Sequence, residues 1–229
     1  MYFLCNFNSI NITGLRKIKL YNYIRRKENI LMRVLNLEDL RHGIRVANLS
    51  LELAQNINFP ENKFEYLYLS GLFHDIGKSY LDQQILNKPG ALTYEEREHI
   101  KQHPLFSYAE VLNMGYPEEI AMNILHHHEC WNGSGYPKGL KKNTIPLVSR
   151  IIKITDIFDA LTMERPYRKG LTVEQSLNIM AQEISTFDPR IYEAFHKLIS
   201  SNYKDKPYRS KLIIDELLKT RISNFKIGG

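Results

Sequence analysis

The chain has 229 residues, 43% hydrophobic and 24% charged, which describes one large or two small globular domains and excludes a disordered chain. No apolar run approaches the roughly 18 residues that span a bilayer. The opening MYFLCNFNSINI also lacks the basic start and small-residue cleavage site of a signal peptide.

The net charge of +6 is concentrated near the start. Residues 1–33 carry seven of the 31 basic residues and one of the 25 acidic ones, which leaves 24 of each sign in residues 34–229. Such an arm suits an acidic partner or an anionic lipid. A solvated helix or linker is the commoner meaning of a charge run, and nucleic acid is not the expected partner. The expected division is therefore a basic arm, 1–33, and one domain, 34–229. The two cysteines, Cys5 and Cys130, form no CxxC pair, so a reducing, cytoplasmic setting is expected.

From Val34 to Ile57 the spacing of Leu35, Leu40, Ile44 and Leu51 predicts a helix. Pro60 opens a second, with Phe64, Leu67, Tyr68 and Leu72 on one face and Gly77 as its stop. NKPG at 87–90 reads as a turn. Thr93 with Glu96 forms a capping box for a helix running towards His103, where Pro104 interrupts or restarts it. Gly115 and Pro117 precede a helix that ends in HHHE, and Pro146 starts a long one through Asp156. Thr172 with Gln175 caps the next, Asp188-Pro189 caps another, and an amphipathic helix is expected over Lys211 to Ile222. No period-2 run stands out, so the fold expected is all-α.

The richest stretch runs from His126 to Arg168. It holds three consecutive histidines, the loop NGSGYP, Asp156, and the pair Arg165 and Arg168, spaced to grip a phosphate or a guanine edge. Upstream, Glu38 and His42 are four apart on one helix face. His74 and Asp75 are adjacent, with Lys78 three residues on, and His103 precedes a proline. With His127, His128 and Asp156 these make five imidazoles and three carboxylates, more than one ion needs and suited to two or three metals sharing a carboxylate. Each alone is weak, since a lone buried histidine is more often a core residue than a ligand; His99, His126 and His196 are taken as bystanders.

HDIGK at 74–78 resembles the HD superfamily of metal phosphohydrolases, and HHHECWNGSGYP at 126–137 resembles its HD-GYP subfamily, which hydrolyses the bacterial second messenger cyclic di-GMP. The similarity continues through ILNKPGALT, IPLVSRIIKITDIFDALT, RPYR and FDP, over about residues 34–200. It implies an HD-type helical bundle around a metal site, with Glu38, His42, His74, Asp75, His103, His127, His128 and Asp156 as ligands. Two or three iron or manganese ions are implied, bridged by Asp75 and with Glu38 tied to the third. Lys78 is implied on substrate phosphate, with Tyr136, Arg165 and Arg168 on the substrate side. The implied reaction opens cyclic di-GMP to pGpG, with GMP as the product of a second cut, and a diguanylate cyclase is an implied partner at the GYP surface.

Asn132 stands where the family usually has aspartate, Ser107 where glycine is common, and Cys130 where a basic residue is frequent. None removes a ligand, so loop geometry is where these departures bear. Two other classes remain open at this level: a dinucleotide-binding or cyclase-docking module with little turnover, and an HD phosphohydrolase for another cyclic nucleotide or dinucleotide.

Overall fold

A computed structural model describes residues 37–164 and 169–203, and every regular element among them is helical. The basic arm, the pair Arg165 and Arg168, and the helix expected over 211–222 lie outside the described residues.

Helix α1 (Leu37–Ala54) buries Leu40, Ile44, Ala47 and Leu51, one stripe at helical spacing. Helix α2 (Phe64–Phe73) is buried continuously from Leu67 to Phe73, as befits a helix enclosed by others. The two helices approach closely at Gly43, where a Cβ would lie 2.3 Å from the Leu72 carbonyl oxygen. This approach brings His42 and His74 together, with ring centroids 5.0 Å apart.

Beyond α2 come a 3₁₀ turn (Ile76–Tyr80), a short α3 (Gln83–Leu86), α4 (Tyr94–Ile100), α5 (His103–Asn113) and α6 (Glu118–Leu125). The long α7 (Leu147–Thr162) packs on α1, with Ser50 and Thr155 hydroxyls 2.8 Å apart in the interior. Helices α8 (Val173–Gln182) and α9 (Pro189–Asn202) cover its other side, where Phe158 and Phe195 meet edge to face at 5.2 Å. The family of contacts α1–α2, α2–α6, α5–α6 and α1–α7 closes one core.

The predicted caps hold. Thr93/Glu96 and Thr172/Gln175 both form complete capping boxes, and Asp188 accepts the Arg190 backbone N–H. Pro104 restarts a helix, at the first turn of α5.

Several boundaries differ from expectation. α1 ends at Ala54 instead of Ile57, because Asn58 turns left-handed (φ +52°) and the Phe59 N–H closes back on the Ala54 carbonyl. The short α3, capped by Asp82, was not expected. α6 stops at Leu125, leaving His126–His128 in the turn after it.

Gly77 is not the stop of α2. That helix ends at Phe73, and Gly77 sits inside the 3₁₀ turn against α5. A Cβ at Gly77 would lie 2.3 Å from the His103 carbonyl oxygen and 2.4 Å from the Ser107 nitrogen. The glycine is there for close approach, not for helix termination. Gly77→Ala should therefore cost about 1–3 kcal/mol of overpacking and lower the melting temperature by about 2–12 °C. A melting temperature equal to wild type would show that α5 does not need this contact.

Candidate metal centre

The site gathers at the ends of helices. His74 follows the last residue of α2, His103 begins α5 directly after α4, and His127 and His128 follow α6. The final carbonyls of a helix have no partner inside it. Here imidazole rings supply one: His74 Nδ1 donates to the Gly71 carbonyl at 2.8 Å, His103 Nδ1 to Ile100 at 2.8 Å, and His127 Nδ1 to Ile124 at 2.6 Å. Each bond fixes the ring and the tautomer and turns Nε2 towards a common centre.

Two groups result. Asp75, His103, His127 and His128 form one, and His42, His74 and Asp156 the other; within each, the candidate ligand atoms lie within 4.8 Å of one another. Asp75 stands between them. Its Oδ1 is 3.3 Å from His103 Nε2, while its Oδ2 is 3.5 Å from His42 Nε2 and 3.3 Å from His74 Nε2. Asp156 Oδ1 lies 3.0 Å from His42 Nε2 and 3.6 Å from His74 Nε2.

The donor set fits cations. His103 Nε2 is 3.4 Å from His127 Nε2 and 3.1 Å from His128 Nε2. With Nδ1 of His103 and His127 committed to carbonyls, their Nε2 atoms face each other as lone pairs, which repel unless a cation lies between them. His74 Nε2 and Asp75 Oδ1 are sealed from solvent with no hydrogen-bond partner, an arrangement costly for groups that ordinarily find one. All candidate ligands are nitrogen or oxygen, and Cys130 Sγ is instead 3.9 Å from the His128 carbonyl oxygen. Borderline transition metals suit this set better than a structural thiolate-bound zinc.

Charge divides the same way. Burial pushes the His103, His127 and His128 rings down, with His128 depressed to about 3. Burial also opposes charge on His42 and His74, but Asp156, Asp159 and Asp75 outweigh it at His42, and Asp75 and Asp156 at His74. Both rings are raised, His74 to about 9. The reciprocal effect holds Asp75 and Asp156 well below the usual carboxylate range despite their burial.

Lys78 places Nζ 2.5 Å from Asp75 Oδ2. Tyr136 stacks on the His128 ring at 4.8 Å with a 25° interplanar angle, so the GYP loop reaches the ligands directly. Glu38 lies outside both groups: its side chain is 63% exposed and contacts Arg45 Nη2 at 3.4 Å and Arg41 at 3.8 Å.

Sequence reasoning missed several supporting residues. Asp159, buried on α7, accepts from His42 Nδ1 at 2.7 Å and from Arg45 Nε at 2.8 Å. Its spacing from Asp156, three residues along one helix, was the available signal. Glu129 accepts the Lys138 N–H at 2.7 Å and the Leu140 N–H at 2.9 Å, closing the GYP loop onto the histidine turn. That bond joins residues nine and eleven apart across an irregular loop, where no periodicity points to it. His126, taken as a bystander, is buried beside Glu129, with Nδ1 3.5 Å from Oε1.

A family model described as HD domain matches residues 19–191, starting inside the basic segment. A cyclic di-GMP phosphodiesterase of Pseudomonas aeruginosa is 36% identical over 159 residues, covering 69% of this chain and 38% of that protein. A 3′3′-cGAMP-specific phosphodiesterase of Vibrio cholerae is 40% identical over 146 residues, covering 63% of this chain and 34% of that protein. The chain thus spans little more than a third of the length of these curated relatives. An HDG"Y"P protein from Bdellovibrio bacteriovorus matches with a TM-score of 0.59 at 23% identity, over 78% of this chain and 60% of that one, a likeness of fold. With HDIGK at 74–78 and GYP at 135–137 on that fold, the chain belongs to the HD domain family, in its HD-GYP branch.

Proposed function

We propose that the chain is a metal-dependent phosphodiesterase that hydrolyses cyclic di-GMP to pGpG, with GMP as the product of a second cut. The observation that carries this reading is Asp75, whose two oxygens face two separate groups of imidazole and carboxylate ligands. His103, His127 and His128 would hold one ion and His42, His74 and Asp156 another, with Asp75 shared. Iron or manganese is the proposed metal, on the nitrogen and oxygen donors. Such ions supply Lewis acidity for the phosphoryl oxygens and lower the pKa of water.

The protein's own groups do the rest. Lys78, beside Asp75, is placed to neutralise a non-bridging phosphate oxygen as charge grows on it. Asp75 and its neighbours hold the Lys78 ammonium charged, raising its pKa against the opposing effect of burial. Tyr136 presents a ring next to His128 for contact with the dinucleotide. Arg165 and Arg168 are proposed as further phosphate or guanine contacts on the strength of the RPYR motif alone. A cytoplasmic location goes with this reading and with the free thiol of Cys130; none of the described helices is long and apolar enough to cross a membrane. A diguanylate cyclase docking at the GYP surface remains part of the proposal.

The relative named for 3′3′-cGAMP supplies the competing substrate for a direct test. Purified without oxygen and reconstituted, the protein should carry at least two transition-metal ions per chain and release pGpG from cyclic di-GMP. Product chromatography with cyclic di-GMP and 3′3′-cGAMP in parallel checks this; turnover of 3′3′-cGAMP alone would reassign the substrate. Asp75→Ala should lose metal and activity together, because it removes the shared ligand.

Lys78→Ala should keep its metal and lose turnover by roughly 10²-fold or more, the scale for one donor to a transition state. Turnover at the wild-type rate would remove Lys78 from the chemistry.

Glu38 and Asp159 can be told apart by metal counting. If Glu38 ligates a third ion, Glu38→Gln loses about one metal equivalent. If it acts only through Arg45, the count stays the same. Asp159→Asn weakens the hold on His42 and should lower metal affinity about 10- to 100-fold, read by competition with a chelator. Unchanged affinity in that variant would mean the His42 ring is fixed by other contacts.

A further inference from the structure

Lys153 lies on α7, three residues before Asp156 and so on the same helix face. It is 8% exposed, yet it makes no hydrogen bond or ion pair with any described residue. Its Nζ is also not among the sealed unpartnered atoms that include His74 Nε2 and Asp75 Oδ1, so the ammonium reaches open space from a buried stem. Its positive charge is among the lesser causes that hold the His128 ring down, in keeping with its place on the Asp156 face of α7. The same His128 carries the stacked Tyr136 ring. A lysine with a buried stem and no acceptor, next to ligands for cations, has every electrostatic reason to meet an anion.

Lys78 already supplies one cation, held on the shared carboxylate Asp75 where the reacting phosphate would sit. A cyclic dinucleotide has two phosphates, and only one is cleaved at a time. The second keeps its charge throughout and must be met by a positive group besides Lys78, one able to act together with Arg165 and Arg168, which lie outside the described residues. We propose that Lys153 is that group, a specificity residue that binds the phosphate not being cleaved. The inference rests on the cyclic-dinucleotide reading above and adds a residue to it.

Bis-(p-nitrophenyl) phosphate is a diester with a single phosphate, so it separates the two roles. Lys153→Met keeps the apolar stem and removes the charge. Its kcat/KM for cyclic di-GMP should fall at least about tenfold further than its kcat/KM for bis-(p-nitrophenyl) phosphate, the scale of one charged hydrogen bond, with the loss in KM. Metal equivalents per chain and melting temperature should match wild type, and Lys153→Arg should restore most of the difference. An equal fall for both diesters, or no fall, overturns the assignment and leaves Lys153 as a solvated lysine or a contact to the reacting phosphate. Loss of metal in Lys153→Met also overturns it, because the lysine would then be positioning His128. A wild type that cleaves bis-(p-nitrophenyl) phosphate but no cyclic dinucleotide overturns the substrate reading, and this inference with it. The two failures are therefore distinguishable.

Discussion

Three imidazole rings cap the ends of three helices, and the rest of the site depends on that one interaction. A helix end leaves carbonyls without partners, and it is also the negative end of the helix dipole. In α2, α4 and α6 an imidazole Nδ1 fills that need, from His74, His103 and His127. One hydrogen bond thus terminates the helix, fixes the tautomer and aims Nε2 inward. The convergence also points three helix C-termini towards a place suited to cations. Fold and site are one construction here, because removing the His74 or His103 ring would take a partner from a helix-end carbonyl as well as a ligand from the site, while the Ile124 carbonyl would keep the His127 backbone N–H.

His42 is the exception, and it is held differently. It lies within α1, so its neighbouring carbonyls are already used by the helix. Its Nδ1 instead meets the buried carboxylate of Asp159, which Arg45 supports from the next turn of α1 and which Glu38 reaches through Arg45. A carboxylate on imidazole raises the basicity of the ring, whereas a carbonyl does so less. The two groups of ligands therefore differ in electrostatic character even though both are built mainly from histidine. His42 and His74 sit among carboxylates and are raised, while His103, His127 and His128 crowd one another in the interior and are depressed.

What the sequence made legible follows the range of the interaction behind it. Capping boxes span three residues, and Thr93/Glu96 and Thr172/Gln175 are both where the pattern put them. The stripes of α1 and α2 are equally local and equally readable. The end of α2 was misread because Gly77 looks like a stop in one dimension, whereas its reason lies 26 residues away in sequence at His103. Asp159 left only its three-residue spacing from Asp156, which does not reveal that it acts on His42 of another helix, and Glu129 acts across a loop that leaves no periodic trace. Of the named ligands, seven of the eight fall into the two groups, while Glu38 faces solvent and arginine. Arg165 and Arg168 lie outside the described residues and stay on motif evidence.

The departures from the family pattern can be weighed by what the replacing atoms do. The Ser107 hydroxyl accepts the Gly77 N–H and donates to the His74 carbonyl, both at 2.8 Å, so it ties α5 to the HD turn where a glycine would offer nothing. At Asn132 the amide oxygen accepts the Ser134 N–H at 3.0 Å, the turn contact a carboxylate would also make. Its amide nitrogen adds a donor to Ser185 at 3.3 Å, which a carboxylate could not provide. Cys130 is buried with a free thiol, a place where a cationic side chain would have to find a partner. Ser107 and Asn132 therefore conserve or add a contact in the scaffold around the ligands, and Cys130 fills a buried place without a charge to satisfy. Selection on this geometry would act on the hydrogen bonds that hold the loop and the HD turn, and those bonds can be made by more than one side chain.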